Sequence, residues 1–457
     1  MPTTPSTLNP LDSRYAKQTE PLLPIFSEAG LVQRRIQVEI EYLLALIPIL
    51  KLPELTKPQQ KQLRSTYLQF DDKALQAVKT HEATTRHDVK AVEYYLHDVL
   101  TKHNLQHLHQ WIHFGLTSED INNLAQTLQL RDGSRVLLNQ ASTLQTQLLE
   151  LCEQYKSQPM LAHTHGQPAI PTTFGKELLV HIAQIQDLLD SLNAYSYKAK
   201  LNGAVGTYAA HHIAFPDIDW ITFSNKFIQS FDLQSAVATT QILPGLFWTQ
   251  SFAIYQQLCL QIVSLAQDFW WYISFGYLKQ KIVATETGSS TMPQKVNPID
   301  FENAEGNAQQ SAALFAFFIT KFSASRLQRD LSDSTVRRNF GVAFGHVLVA
   351  LQSLAKGLDR IAPDAEVMNA ELTAHAEVLA EAYQTILRAA GFPNAYEKIK
   401  TLSRGGTLDM SLFEQELTAA QIQKPVIKRL LALKPTEYVG LCTAIVEQGL
   451  ADLRHKE

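Results

Sequence analysis

Residues 233–267 read LQSAVATTQILPGLFWTQSFAIYQQLCLQIVSLAQ and contain no Asp, Glu, Lys or Arg. A membrane span needs about 20 predominantly apolar residues in a row, whereas glutamines and serines interrupt this stretch throughout. Its apolar side chains cover more than one face of a helix; they are Phe252, Tyr255, Leu258, Cys259, Ile262, Val263 and Leu265. A helix that is apolar nearly all round lies inside a bundle. The stretch therefore predicts a long helix buried on most sides, in a subunit interface or in the core of a monomer.

Other segments repeat their apolar residues at helical intervals of three and four. The repeats are Val89, Val92, Leu96 and Val99, then Ile121, Leu124 and Leu128, and then Phe174, Leu178, Ile182, Ile185, Leu189 and Leu192. Helix starts are indicated at Thr117, which has an acid three residues later, and at Thr172–Thr173. Convincing strand alternation is absent. These patterns predict an all-α chain.

The composition narrows the class of protein further. Of the 457 residues, 45% are hydrophobic and only 18% are charged, against a usual charged share of about 25%. Gly and Pro number 19 each, which argues against turn-rich β architecture, collagen and disorder. A soluble protein with so little charge is expected to hide much of its surface in subunit contacts.

The charge and the cysteine content argue against several classes of partner and of structural site. The formal net charge is −4 and no long Lys/Arg block occurs, so neither nucleic acid nor a membrane is expected as a partner. Cys152, Cys259 and Cys442 are far apart, which predicts neither a disulfide framework nor a zinc knuckle. The N-terminal residues are polar where a signal peptide would need a basic start and an apolar stretch. We expect a cytoplasmic protein.

Three helical domains are predicted along the chain. Residues 1–110 form an N-terminal segment, residues 111–364 carry the long apolar helices, and residues 365–457 form a more charged C-terminal segment. The sequence Ile361-Ala362-Pro363-Asp364 marks the second boundary.

The most unusual local composition lies at residues 286–303, which read ETGSSTMPQKVNPIDFEN. The loop is too rich in small residues to pack as core. It fits either a polar connection between helices or a mobile lid whose Ser hydroxyls and Lys ammonium close over an anionic ligand.

Within that loop, GSSTMPQKVNP resembles the signature loop of the fumarase/aspartase superfamily. Five other segments resemble the adenylosuccinate lyase family in its longer bacterial form; they begin at Ser13 (SRY), Arg86 (RHDVKAVEY), Thr117 (TSEDINN), Thr164 (THGQPA) and Arg329 (RDLSDSTV). The matches follow the family's order over most of the chain. The resemblance implies an all-α fold of three helical domains with a central long-helix bundle, assembled as a homotetramer with a 20-helix core.

The resemblance also implies a reaction. Members of this family act in purine nucleotide biosynthesis, where they release fumarate by β-elimination from adenylosuccinate, giving AMP, and from the succinylocarboxamide ribotide SAICAR, giving AICAR. Each active site is assembled from three subunits, and no metal or organic cofactor is required. The nearest alternatives are another superfamily lyase, such as argininosuccinate lyase or fumarase, and a non-catalytic structural homologue.

Site residues carry over from the family position by position. Ser289 corresponds to the general base and His165 to the general acid. Expected substrate-binding or lid residues are Arg14, Tyr15, Arg86, His87, Asp88, Thr117, Ser118, Gln241, Ser290, Lys295, Val296, Asn297, Asn303, Arg329, Ser334, Thr335, Val336, Arg337 and Arg338.

Simpler interpretations stand beside these roles. His163 and His165 fit a hydrogen-bonded pair in a turn, and Asp88 fits a residue that offsets a helix dipole. The arginines between 326 and 338 fit a solvated helical face paired with Asp330 and Asp333. The family usually has Asn where this chain has Arg86, and His where it has Gln294, so direct contact at position 86 and closure of the lid are in question.

Overall fold

The computed structural model describes residues 7–281, 292, 295–402 and 410–454. Their α-helices, in chain order, are α1 (Ala16–Thr19), α2 (Leu23–Phe26), α3 (Glu28–Ile49), α4 (Lys57–Leu68), α5 (Asp72–Thr85), α6 (Asp88–Lys102), α7 (Ser118–Gln154), α8 (Phe174–Asn193), α9 (Ala209–Ala214), α10 (Trp220–Gln229), α11 (Leu246–Ser274), α12 (Ile299–Phe322), α13 (Ser332–Arg337), α14 (Phe340–Asp359), α15 (Ala365–Ala374), α16 (Ala380–Ala389), α17 (Ala395–Leu402), α18 (Met410–Ala419), α19 (Lys424–Leu431) and α20 (Cys442–Arg454). The predicted all-α class is confirmed.

The described residues also contain short strands, which the sequence did not predict. They are β1 (Pro159–Thr164), β2 (Gln167–Thr173), β3 (Lys198–Ala199), β4 (Gln234–Ser235), β5 (Leu278–Gln280) and β6 (Ile361–Pro363). β1 pairs with β2 and β5 with β6 in antiparallel fashion, while β3 and β4 are parallel. The prolines in β1 and β2 mask the alternation by which a hairpin is recognised.

The helix predicted from residues 233–267 begins later and ends later than its uncharged stretch. It is α11, which starts at Leu246 after Pro244–Gly245 and continues past Asp268 to Ser274. Phe252, Tyr255 and Ile262 are fully buried in it. The prediction of a helix buried on most sides is therefore confirmed from Leu246 onward.

Two compact units divide the chain. Unit 1 consists of Met1–Ala141, Leu188–Val263 and Ala304–Gln352, and unit 2 of Ser142–Asp187, Ser264–Asn303 and Ser353–Glu457. α7, α8, α11, α12 and α14 each run through the sequence boundary between them. The predicted division at residues 110 and 364 remains a prediction.

Each unit has its own aromatic or apolar core. In unit 1, Phe252 of α11 packs among the rings of α12 and of Phe340, with centroids 5.3 Å from Phe340 and 5.6 Å from Phe318. In unit 2, Phe269 stacks on Phe301 at 5.1 Å. Among the described residues, one stretch is long and apolar enough to cross a membrane: Ser332–Asp359, which spans α13 and α14. In its most apolar window 72% of the residues are buried, as in a core helix.

Candidate active site

A cavity of about 830 Å³ in unit 1 brings together distant parts of the sequence. The predicted site residues that line it are Arg86, His87, Asp88, Thr117, Ser118, Gln241, Arg329, Ser334 and Arg338. Its wall also contains residues that were not predicted as ligands: Glu82, Asn122, Leu327, Gln328 and Leu331. Asn122 and Leu331 belong to the TSEDINN and RDLSDST segments, so these motifs carried a signal for them.

The turn between α5 and α6 supplies one wall. Arg86 ends α5 in the left-handed conformation, with φ of +52°, and His87 caps α6 because its Nδ1 accepts from the Lys90 N–H at 3.2 Å. When neutral, this ring must carry its proton on Nε2. The two side chains are exposed, so His87 combines a capping role with an N–H donor at the cavity wall.

Asp88 is held by a buried arginine. Arg35 of α3 contacts the Asp88 carboxylate at 2.7 Å and donates to the Asn122 side chain at 2.8 Å. Burial alone would raise the pKa of Asp88, but Arg35 and the Val89 N–H outweigh it and hold the pKa below its usual range. Asp88 therefore stays ionised, and Arg35 links α3 to α6 through Asp88 and to α7 through Asn122.

A buried cluster of charges supports the opposite wall. Glu119, which is 0% exposed, contacts Arg337 at 2.6 Å and Arg329 at 3.2 Å. Arg337 also pairs with Asp333 and lies 4.8 Å from the ring of Trp248. Its guanidinium is therefore committed to protein groups, while Arg329 additionally reaches the Gln241 side chain at 3.3 Å.

Two further cations line the cavity, Arg86 and Arg338. Over the described ranges, no carboxylate lies within ion-pair distance of Arg86 or Arg338, and Arg338 donates instead to the carbonyl and hydroxyl oxygens of Ser334 at 2.9 and 3.1 Å. The acids at the wall are already paired, Glu82 with Lys79 and Asp88 with Arg35. The cavity thus offers unneutralised positive charge to an anionic ligand.

Other predicted residues lie away from this cavity. Arg14 is exposed and Tyr15 is half-buried before α1, Thr335 is exposed on α13, and Val336 is half-buried. Arg337 lines an adjoining cavity of about 380 Å³, also within unit 1. The expected solvated arginine face is found for Arg326, whose side chain is 86% exposed, but not for Arg337, which is buried.

His165 occupies a hairpin turn in unit 2. Thr164 pairs with Gln167, so the loop has two residues, His165 at φ +56° and Gly166 at φ +71°. Two consecutive positive φ values define a type I′ turn, the favoured two-residue connection of twisted strands. The exposed imidazole projects from the tip of the hairpin. The ring of the neighbouring His163 stacks on Phe275, with the ring centroids 4.8 Å apart.

The signature loop is described only in part. Ser289, Ser290 and Gln294 lie outside the described residues. Lys295 and Val296 are exposed, Asn297 is half-buried, and the Val296 carbonyl accepts from Gln280 at 2.8 Å. Asn303 on α12 donates to the Ser353 hydroxyl at 2.9 Å within unit 2. Across the described ranges, no group of three His, Cys, Asp or Glu side chains is placed to hold a metal ion.

Comparison with known proteins identifies the relatives of the chain. A family model described as "Lyase" matches residues 13–312, and one described as "Adenylosuccinate lyase C-terminal" matches residues 325–439. An adenylosuccinate lyase of Legionella pneumophila (strain Corby) is 41% identical over 445 residues, covering 96% of this chain and 98% of the relative. That of Escherichia coli (strain K12) is 38% identical over 446 residues, with the same coverage.

Solved structures confirm the fold. A 3-carboxy-cis,cis-muconate lactonizing enzyme from Pseudomonas putida matches with a TM-score of 0.78 at 18% identity, covering 95% of this chain and 97% of that one. A fumarate lyase from Mesorhizobium sp. BNC1 matches with a TM-score of 0.76 at 17% identity, covering 94% and 97%. With near-complete coverage by curated relatives and both family models, the chain belongs to the adenylosuccinate lyase family of the fumarase/aspartase superfamily.

Proposed function

We propose that this chain is a C–N lyase that cleaves adenylosuccinate to AMP and fumarate, and SAICAR to AICAR and fumarate. The observation that carries the proposal is the unit 1 cavity, where Arg86, Arg329 and Arg338 meet neutral donors from Thr117, Ser118 and Gln241. Both substrates carry a phosphate and two carboxylates, which charge-assisted hydrogen bonds from guanidinium groups recognise.

The chemistry divides into one proton removal and one proton delivery. A base removes a proton from the succinyl carbon next to a carboxylate, the electron pair forms the C=C bond of fumarate, and the C–N bond breaks as an acid protonates the departing nitrogen. In this proposal Ser289, as its alkoxide, is the base and His165 is the acid. The developing aci-carboxylate is stabilised by cations and fixed donors.

We further propose that the enzyme is a cytoplasmic homotetramer whose sites are shared between three subunits. Leu246, Leu260 and Phe317 support assembly, since each is at least half exposed on α11 or α12 of unit 1 and large apolar side chains on neighbouring long helices are suited to burial against other copies. The exposed tip that carries His165 likewise suits a residue delivered to another subunit's cavity.

A substrate panel tests the activity. The purified protein is incubated separately with adenylosuccinate, SAICAR and argininosuccinate, and fumarate is quantified. Fumarate from the first two and none from the third is the expected result. Cleavage of argininosuccinate without cleavage of adenylosuccinate would assign the chain to a different lyase, and no fumarate from any of them would indicate a non-catalytic homologue.

Mixed subunits test the shared site. The His165→Ala and Arg329→Ala variants are each expected to be inactive, but co-refolded mixtures should recover part of the wild-type rate because some sites then draw both intact residues from different subunits. Mixtures that stay as inactive as the separate variants would show that one chain supplies both groups.

A further inference from the structure

Beneath the cavity of unit 1 lies an ion pair with no access to solvent. Lys200, which follows β3, and Asp120 of α7 are both 0% exposed, and Lys200 Nζ lies 3.1 Å from Asp120 Oδ1. Lysine is almost never fully buried unless it is paired, and a buried pair does not by itself stabilise a fold relative to apolar side chains. The pair therefore calls for a role other than general stability.

Asp120 uses both carboxylate oxygens to hold backbone. Its Oδ2 accepts from the Thr117 N–H at 2.9 Å, its Oδ1 from the Asn202 N–H at 3.0 Å, and both accept from the Gly203 N–H at 3.1 and 3.3 Å. An amide in its place would turn an N–H toward one of these N–H donors. A carboxylate is thus required to fix the backbone of Thr117, which lines the cavity.

Lys200 extends the same support to a second segment. Its ammonium donates to the Gly203 carbonyl at 2.9 Å and to the Thr240 carbonyl at 3.4 Å. Thr240 directly precedes Gln241, which lines the cavity and accepts from Arg329. The pair therefore connects the segment that carries Thr117, through Asp120, to the segment that carries Gln241, through Lys200.

We propose that Asp120 and Lys200 are positioning residues for the lyase reaction, which fix the relative placement of Thr117–Ser118 and Gln241 without touching the substrate. The inference rests on the proposed function, since its effect is read through turnover. A misplacement of about 1 Å in a positioned group costs about a hundredfold in rate, so the support of these two segments bears directly on catalysis.

The test compares two lysines of one short segment. Lys200→Met removes the buried ammonium. Lys198→Met removes the partly exposed ammonium of a β3 residue, which lies 4.5 Å from the ring of Phe247 in α11. The kcat and KM for adenylosuccinate are measured well below the melting temperature, with circular dichroism as the check of folding and hydrogen exchange as the probe of the Thr117 amide.

For Lys200→Met we expect kcat/KM to fall at least tenfold, with faster exchange at Thr117. Lys198→Met should remain within twofold of wild type. Asp120→Asn is the second variant and should show the same kinetic defect, so that a failure of Lys200→Met alone to fold leaves the proposal testable. A purely structural role would lower the melting temperature but leave the KM of the folded enzyme unchanged.

The outcomes separate this inference from the proposed function. An inactive wild-type protein would refute the lyase activity itself. An active wild type with unchanged kcat and KM in both folded variants would overturn the positioning role alone. Loss of folding in both variants would also overturn it, because the pair would then be holding the fold.

Discussion

Replacement of Arg86 by Asn is expected to stabilise the protein while weakening substrate binding. Arg86 adopts φ +52° and ψ +31° at the end of α5. A left-handed conformation costs an ordinary L-residue about 1–2 kcal/mol, and Asn much less because it tolerates this region. We therefore expect Arg86→Asn to raise the free energy of unfolding by about 0.5–1 kcal/mol.

The opposite effect on binding follows from the charge. A pair of unit charges 4 Å apart in water is worth about 1 kcal/mol, and this corresponds to about a fivefold change in KM. Because no carboxylate of the described residues pairs with Arg86, its whole charge is available to an anionic substrate. The KM for adenylosuccinate should rise about fivefold in low salt and by less in high salt, where exposed charges are screened.

Lys51→Asn provides the matched control, because Lys51 is an exposed cation with φ +53° that does not line the cavity. Urea unfolding at fixed protein concentration should show the same gain in stability for both variants, whereas only Arg86→Asn should change KM. Equal KM values in the two variants would refute the role assigned to Arg86, and a loss of stability in both would refute the argument from backbone strain.

Three further predictions concern the core, acid stability and the catalytic acid. Phe252→Ala should lower the free energy of unfolding in urea by about 3–5 kcal/mol, whereas Leu68→Ala, at a 68% exposed position, should cost far less; similar losses would refute the core assignment. Burial lowers the pKa of His211 to about 4, although Asp120 opposes this shift. The contribution of His211 to the free energy of unfolding should therefore be intact above about pH 6.5 and decline by about 3 kcal/mol as the pH falls to 4. A His211→Gln variant that loses as much stability in acid as the wild type would contradict this. His165→Ala should lower kcat at least about a hundredfold, and a kcat equal to that of wild type would remove His165 from the mechanism.

The origin of the acid effect is visible around His211. Its Nε2 lies 2.9 Å from the Tyr42 hydroxyl, which donates to the Phe114 carbonyl at 2.8 Å. The other ring nitrogen, Nδ1, is buried without a hydrogen-bond partner in the described part of the chain. Protonation would therefore bury an unsatisfied N–H, so the unfolded state binds the proton more readily than the folded one.

The helices could be predicted from sequence because their buried apolar side chains recur at helical intervals, on one face of some helices and on nearly all faces of others. α6 begins at Asp88 and α8 follows Thr173, as the periodicity and the capping signals predicted. The β1–β2 hairpin was missed because its only short-range signal is the His165–Gly166 turn. A two-residue turn of this kind is recognisable mainly when the flanking strands alternate.

The site could be predicted only in part, and chiefly through family resemblance. Segments near residues 87, 117, 241 and 329 meet through tertiary packing, which no local pattern encodes. Lys200 carried no signal at all, since Lys198 and Lys200 stand two residues apart in the sequence and only the structure shows which of them is buried. The pairing of Arg337 with Glu119 was hidden for the same reason.

The central claim is that the unit 1 cavity binds the anionic substrate, and paired arginine variants test it most directly. Arg338 lines the cavity and pairs with no carboxylate of the described residues, whereas Arg326 does not line it and is 86% exposed. A hydrogen bond to a charged group is worth about 1.5–3 kcal/mol, so Arg338→Ala should raise the KM for adenylosuccinate at least about tenfold, while Arg326→Ala should leave it unchanged. Unchanged KM values in both variants would place substrate binding outside this cavity and contradict the account.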